Sequence, residues 1–97
     1  MIQETVEWCE IANYENYQVS NNGQVKNVQS GKILKLTKGT NKSGYYLIAL
    51  CKNGRRKSFH IQQVVAKAFL DNPDKKLTVE HIDKDVANNS VSNLRWV

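Results

Sequence analysis

Cysteine and long apolar runs are scarce in this sequence of 97 residues. The two cysteines, Cys9 and Cys51, lie too far apart in sequence to indicate a disulfide framework or a paired CxxC metal site. No apolar run approaches the roughly 20 residues that span a bilayer, and residues 1–10 lack the basic and apolar segments of a signal peptide. These absences exclude a disulfide-stapled secreted domain and a helical membrane protein, and they favour a cytoplasmic location.

Acidic residues are missing from the middle of the sequence. Residues 1–25 hold four acidic and no basic residues, whereas residues 26–70 hold ten basic and no acidic ones. A long stretch of one sign attracts polyanions, and neutralising phosphates is the main source of non-specific nucleic-acid affinity. The alternative is a solvated basic face that promotes solubility. We predict phosphate contacts from six basic residues: Lys35, Lys38, Lys52, Arg55, Arg56 and Lys57.

Turn-forming residues recur between apolar segments in the first half of the sequence, and this pattern predicts a small antiparallel sheet. The clearest hairpin joins 44–52 to 55–61 through Asn53-Gly54, a pair that supplies the positive φ angles of a tight two-residue turn. The basic residues that follow this turn could contact phosphates. Alternatively, their charge could keep an exposed strand edge from pairing with another chain. Apolar patterns between other turns predict further strands through 17–19, at 24–28, at 32–37 and at 77–80.

One helix is predicted at residues 61–70, because apolar residues at 61, 64, 65, 68 and 69 share one helical face. Pro73 and the polar residues around it end this helix. The expected fold class is α+β, with a β-rich module at 1–60 and a helix plus C-terminal segment at 61–97 that form a single compact unit.

The strongest chemical cluster surrounds His81. Glu80, Asp83 and Asp85 lie beside it in sequence, and three asparagines follow within twelve residues. Histidine suits a general base near neutral pH, and carboxylate oxygens suit Mg²⁺, which usually takes only one or two protein carboxylates. Taken alone, a histidine beside acidic residues is more often an ordinary loop residue than a catalytic one.

Residues 79–97 resemble the HNH segment of phage and intron homing endonucleases. The resemblance rests on Glu80-His81-Ile82-Asp83, on Asn88-Asn89 and on the closing Asn93-Leu94-Arg95-Trp96-Val97. Residues 7–25 similarly resemble the nuclease-associated module that commonly precedes this HNH type, through Glu7-Trp8, Tyr14-Glu15-Asn16-Tyr17, Val19-Ser20-Asn21 and Gly23. The resemblance therefore covers nearly the whole chain and implies DNA as the partner, in a bacterial or phage-infected host cell.

The resemblance also implies roles for individual residues. His81 would be the general base that activates water, Glu80 would hold the metal with Asp83 as a second ligand, and Asn93 would help to hold the active loop. Mg²⁺ or Mn²⁺ is the implied cofactor. A zinc site from Cys9, Cys51, His60 and His81 is not expected, because structural zinc ligands come in closely spaced pairs. Gln62 replaces a histidine of the family, and His60 is expected to be structural or phosphate-contacting.

The sequence departs from the family pattern at three points. Glu80 is longer than the usual Asp or Asn, and Lys84 stands where the family has glycine. In the family, the residues matching 93–97 lead into a helix that supplies a second metal ligand, and this sequence ends at Val97. Asp83, Asp85 or a second subunit could replace that ligand. The incomplete ββα-metal motif also predicts a homodimer or a protein partner that covers Leu94 and Trp96.

Three hypotheses follow for function. The first is a metal-dependent HNH endonuclease that hydrolyses phosphodiesters in DNA. The second is a DNA-binding remnant that has lost hydrolysis, which the departures at Glu80 and after Val97 favour. The third is a protein-interaction module, in which an HNH-like fold inhibits or assembles with another nuclease.

Overall fold

A computed structural model describes residues 5–40 and 42–97 of the chain. Its elements are eight strands, one α-helix and a short 3₁₀ helix at Val91–Asn93. In chain order the larger elements are β1 (Trp8–Ile11), β2 (Tyr14–Ser20), β3 (Val25–Asn27), β4 (Thr37–Lys38), β5 (Tyr46–Lys52), β6 (Arg55–His60), α1 (Ile61–Phe69), β7 (Val79–His81) and β8 (Leu94–Trp96). The predicted α+β class is confirmed.

The first antiparallel sheet has the order β1-β2-β3. Strand β2 ends in a turn at residues 20–23, and the N–H of Gly23 donates to the carbonyl of Ser20 there, at 3.1 Å. Strand β3 returns along β2 with Val19 paired to Val25, and both side chains are fully buried. The predicted pairing of 24–28 with the preceding strand is therefore confirmed.

The second antiparallel sheet has the order β4-β5-β6. Asn53 and Gly54 join β5 to β6 with φ angles of 53° and 74°, as the sequence predicts for this turn. The predicted strand at 32–37 is wrong. Only Ile33 forms an isolated bridge, to Lys26, and regular pairing begins at Thr37. The N–H of Leu34 still donates to the carbonyl of Val25, at 2.8 Å, and the half-buried side chains of Leu34 and Leu36 pack against the core.

Helix α1 lies at the centre of the molecule and contacts strands of all three sheets. It spans Ile61–Phe69, one residue shorter than predicted. Its inward side chains Ile61, Val65 and Ala66 are fully buried, together with Ile48 and Leu50 of β5. One hydrophobic core thus joins the N-terminal strands to the C-terminal segment.

Strands β7 and β8 form a two-stranded antiparallel sheet, with Glu80 opposite Arg95 and His81 opposite Leu94. Leu94 is only 3% exposed because it packs into the core of the same chain. The expectation that a partner covers Leu94 is therefore wrong. Trp96 is half-buried, and its indole N–H donates to the carbonyl of Leu70 at 3.4 Å.

Candidate active site

Strand β7 directs its neighbouring side chains to opposite faces. Val79 and His81 point towards the core and are 4% and 5% exposed, whereas Glu80 lies between them and points outwards. This follows from the two-residue period of a strand. His81 is also the last residue of the strand, so its backbone is held by pairing with β8 while its ring borders the loop that follows, residues 82–90.

The His81 ring is hydrogen-bonded to Asn89 of the 82–90 loop. Its Nε2 lies 2.7 Å from Oδ1 of Asn89, and both residues are buried. The amide of Asn89 is oriented by its own donation from Nδ2 to the carbonyl of Val86, at 3.1 Å. Because an amide oxygen can only accept, the hydrogen bond assigns the proton of the neutral ring to Nε2. The lone pair of His81 is then on Nδ1.

Tyr45 packs against His81 from the segment before β5. The two rings are stacked, with centroids 5.8 Å apart and an interplanar angle of 25°. The same tyrosine makes an edge contact with His60, at 5.4 Å between centroids. Tyr45 was not among the sequence candidates. It lies 36 residues before His81, and no local pattern could have indicated that the two rings meet.

The carboxylate of Asp83 organises the 82–90 loop. Its Oδ1 accepts hydrogen bonds from the N–H of Asp85 at 2.8 Å and from Nδ2 of Asn93 at 2.9 Å, and its Oδ2 accepts from Nδ2 of Asn88 at 3.0 Å. The backbone donor of Asp85, followed by the amides of Asn88 and Asn93, holds the pKa of Asp83 below its ordinary value. Both oxygens are thus engaged within the loop.

Asn93 closes the same loop from its far end. Its Oδ1 accepts from the N–H of Asp83 at 3.0 Å, and its Nδ2 donates to the carbonyl of Asn88 as well as to Asp83. Lys84, at the glycine position of the family, adopts a left-handed φ of 65°. The lysine therefore takes up a conformation that normally favours glycine, and the loop closes around it.

The carboxylates near His81 differ in how well they fit a divalent cation. Glu80 forms an ion pair with Arg95 across the strand pair, with 2.5 Å between Oε2 and Nε. Its partly exposed carboxylate suits a divalent cation by chemistry, but it lies on the face of β7 opposite His81, and Arg95 competes for it. Asp83 is less available for the predicted ligand role, since three hydrogen bonds within the loop engage its two oxygens and leave one acceptor site, on Oδ2. Within residues 5–40 and 42–97, no group of three or more His, Cys, Asp or Glu side chains is placed to hold a metal.

The predicted phosphate-contacting residues lie on different faces. Arg55 and Lys57 share the face of β6 that carries Phe59, and Lys57 lies over the Phe59 ring at 5.3 Å. On β5, Lys52 donates to the carbonyl of Asn13 at 2.6 Å. Arg56 lies on the other face of β6, which also carries His60. Lys35 and Lys38 are exposed beside and within β4, at the opposite edge of the sheet.

Of the six basic residues, Arg56 alone shares a sheet face with His60. Since His60 contacts Tyr45 and Tyr45 stacks on His81, this outer face of β6 leads towards the candidate base.

In the described part of the chain, no helix is both long enough and apolar enough to cross a membrane.

Comparison with known proteins gives a consistent result. Residues 7–51 match the NUMOD4 motif. The DNA endonuclease I-HmuI of Bacillus phage SP01 is 43% identical over 93 residues, which are 95% of this chain and 52% of that protein. An HNH endonuclease of Acanthamoeba polyphaga mimivirus is 40% identical over 92% of this chain and 26% of its own length. H-N-H endonuclease F-TflII of Escherichia phage T5 is 30% identical over 87% of this chain and 44% of its own length.

The fold is also shared with a solved structure, that of the HNH homing endonuclease I-HmuI, which is described as showing DNA binding and cleavage. The match has a TM-score of 0.81 and 42% identity, and it covers 94% of this chain and 52% of that one. The chain spans about half the length of I-HmuI and less than half the length of the mimivirus and phage T5 relatives. The NUMOD4 match, the HNH relatives and the common fold together show that this chain belongs to the HNH homing endonuclease family.

Proposed function

We propose that this chain binds DNA and hydrolyses a phosphodiester bond, with His81 as the general base. The observation that carries the proposal is the hydrogen bond from His81 Nε2 to Asn89 Oδ1, at 2.7 Å. It leaves Nδ1 as the proton acceptor and fixes the ring in one orientation. A positioned base of this kind contributes about 10²- to 10⁴-fold to a rate.

The proposed reaction is a substitution at phosphorus. A water molecule transfers a proton to Nδ1 of His81 while its oxygen bonds to phosphorus, and the bond from phosphorus to one ester oxygen breaks. The departing oxygen takes up a proton to become a hydroxyl group. Bound Mg²⁺ or Mn²⁺ would supply positive charge against the phosphate oxygens, and Glu80 is the residue whose chemistry fits that cation.

The DNA backbone is proposed to follow the outer face of β6. Arg56 provides a phosphate contact, because guanidinium groups pair well with phosphate oxygens. His60 and Tyr45 continue the same face towards His81. Lys57 lies on the other side, over Phe59. Of the cations near the turn, Arg56 is therefore the one placed to act together with His81.

Binding without hydrolysis is the second candidate. The ion pair between Glu80 and Arg95 favours it, because it engages the carboxylate that fits the cation. This candidate and the nuclease share the basic surface and differ only in whether His81 acts on bound DNA.

The test is conversion of supercoiled plasmid to nicked or linear DNA with Mg²⁺ or Mn²⁺. The wild-type chain is compared with His81→Ala and with His81→Gln, at matched purity. Glutamine keeps a polar side chain in the buried site but cannot accept the proton. We expect cleavage by the wild type alone, with all three proteins binding the plasmid in a mobility-shift assay. Binding by all three without cleavage by any of them would establish the second candidate.

A further inference from the structure

The turn at residues 20–23 of the N-terminal module packs directly on the loop that holds His81. The carbonyl of Asn21 accepts a hydrogen bond from the N–H of Val91, at 2.8 Å. Gly23 is buried in the same turn against Asn89. The turn thus contacts the 82–90 loop and the residue just after it, on either side of Ser90.

Two features of position 23, its backbone angle and its closeness to Asn89, disfavour any residue larger than glycine. Its φ of 87° lies in the left-handed region, which side chains rarely adopt. A Cβ atom at this position would lie 3.0 Å from both the Cβ and the backbone oxygen of Asn89, and 3.2 Å from its carbonyl carbon. Two of those three atoms are backbone atoms, so a methyl group here requires the backbone of Asn89 to move.

We propose that Gly23 is a positioning residue for the reaction, acting on His81 through Asn89. The close approach of the turn sets where Asn89 Oδ1 lies, and that oxygen orients the His81 ring. The N-terminal module therefore supports the general base as well as contributing DNA contacts. This inference rests on the proposed function for its catalytic meaning, but its structural part can be measured without cleavage.

Gly31 provides a matched control for Gly23. Its φ of 72° is also left-handed, so Gly31→Ala carries a comparable backbone penalty. Among residues 5–40 and 42–97, apart from its two chain neighbours, none has an atom within 4 Å of the position where its Cβ would be. Gly31→Ala therefore reports the cost of the φ angle alone, and the difference from Gly23→Ala reports the contact with Asn89.

The first measurement is ¹⁵N NMR of the imidazole rings. The chain has only two histidines, and His60→Gln assigns the remaining signals to His81. We expect the wild type and Gly31→Ala to show the His81 ring proton on Nε2, with slow exchange of that proton with water. Gly23→Ala should show faster exchange and a mixed tautomer. His81 signals in Gly23→Ala that match those of the wild type would overturn the inference.

Gly23→Ala could also fail to fold, and Ser20→Ala then tests the same turn. The Ser20 hydroxyl accepts from the N–H of Gln24 at 2.9 Å, so its removal loosens the turn without adding an atom. We expect the same direction of change at His81, at smaller amplitude. An unchanged Nε2 proton in a folded Ser20→Ala protein would count against the inference.

The second measurement is plasmid cleavage by the same variants. A 1 Å misplacement can cost about 100-fold in rate. The contacts at Gly23 require Asn89 to move by less than that, so we expect a smaller but measurable loss in Gly23→Ala and little loss in Gly31→Ala. In an Asn89→Ala background, Gly23→Ala should have little further effect. Additive losses would contradict action through Asn89. If the wild type does not cleave, the proposed function fails, and the NMR comparison still decides the structural inference.

Discussion

His81 and Asn89 are joined by a buried hydrogen bond of 2.7 Å from Nε2 to Oδ1, across a loop that both residues border. The bond links the end of a short strand to an amide that the N-terminal module also touches.

Asn89→Ala should lower cleavage by about 10-fold or more, because the ring loses the acceptor that orients it. DNA affinity should stay the same, since Asn89 is buried. Asn88→Ala is the matched control, because its amide bonds to Asp83 and not to His81. Single-turnover cleavage with saturating DNA separates the two effects. Equal losses in both variants would show that general loop damage, and not the bond to His81, controls the rate.

Arg56→Ala should weaken DNA binding at all sequences and reduce the slope of log affinity against log salt by about 1, as expected for one lost phosphate contact. Lys57→Ala should change the slope less, because Lys57 lies on the opposite face of β6. Fluorescence anisotropy over a salt series measures both slopes. A larger change for Lys57 would move the DNA to the other face of the sheet.

Arg95→Ala should lower the Mg²⁺ concentration needed for half-maximal cleavage, because it releases Glu80 from its ion pair. Exposed ion pairs contribute only about 0.2 to 1 kcal/mol, so little stability should be lost. Arg95→Lys, which keeps the charge, is the control. Mn²⁺ titration followed by electron paramagnetic resonance gives a readout independent of cleavage. A higher metal requirement in Arg95→Ala would mean that Arg95 supports the cation site.

Asp83→Asn should destabilise the chain near neutral pH, because the loop has three donors aimed at the carboxylate. The pKa of Asp83 is held below its ordinary value of 3.8 in the folded state. The stabilisation by the carboxylate is therefore complete above that ordinary value and is lost as pH falls through the lowered one. Urea unfolding of both proteins at several pH values should show the difference shrinking in acid. A constant difference would assign the effect to packing.

Leu50→Ala should cost about 2 to 5 kcal/mol in the free energy of unfolding, since its side chain is fully buried in the shared core. Leu77→Ala is the control, because Leu77 is 87% exposed and should change stability by less than about 0.5 kcal/mol. Urea denaturation followed by tryptophan fluorescence measures both. Similar small losses would mean that the core tolerates the cavity by collapse.

Several elements of this fold could be predicted from the sequence, because they depend on residues that are near one another in the chain. The positive φ angles of Asn53 and Gly54 and the apolar spacing that forms α1 are local properties, so the hairpin and the helix could be predicted from a few residues each. The α+β class followed from those elements. The family followed from two short motifs, at residues 7–25 and 79–97, in each of which the residues lie close together in sequence. The segment 32–37 was mispredicted because only Ile33 and Leu34 contact β3 there, through one bridge and one backbone hydrogen bond, while the side chains of Leu34 and Leu36 pack into the core.

Only the tertiary structure decided which of the candidate residues meet. The strand period turns Glu80 away from His81, and the partner of Glu80 proved to be Arg95, which comes near only when β7 pairs with β8. Hydrogen bonds within the loop engage the carboxylate of Asp83. Tyr45 and Gly23 contact the site from distant parts of the chain. Contacts of this kind depend on how separate elements pack, and the sequence around each residue does not contain that information.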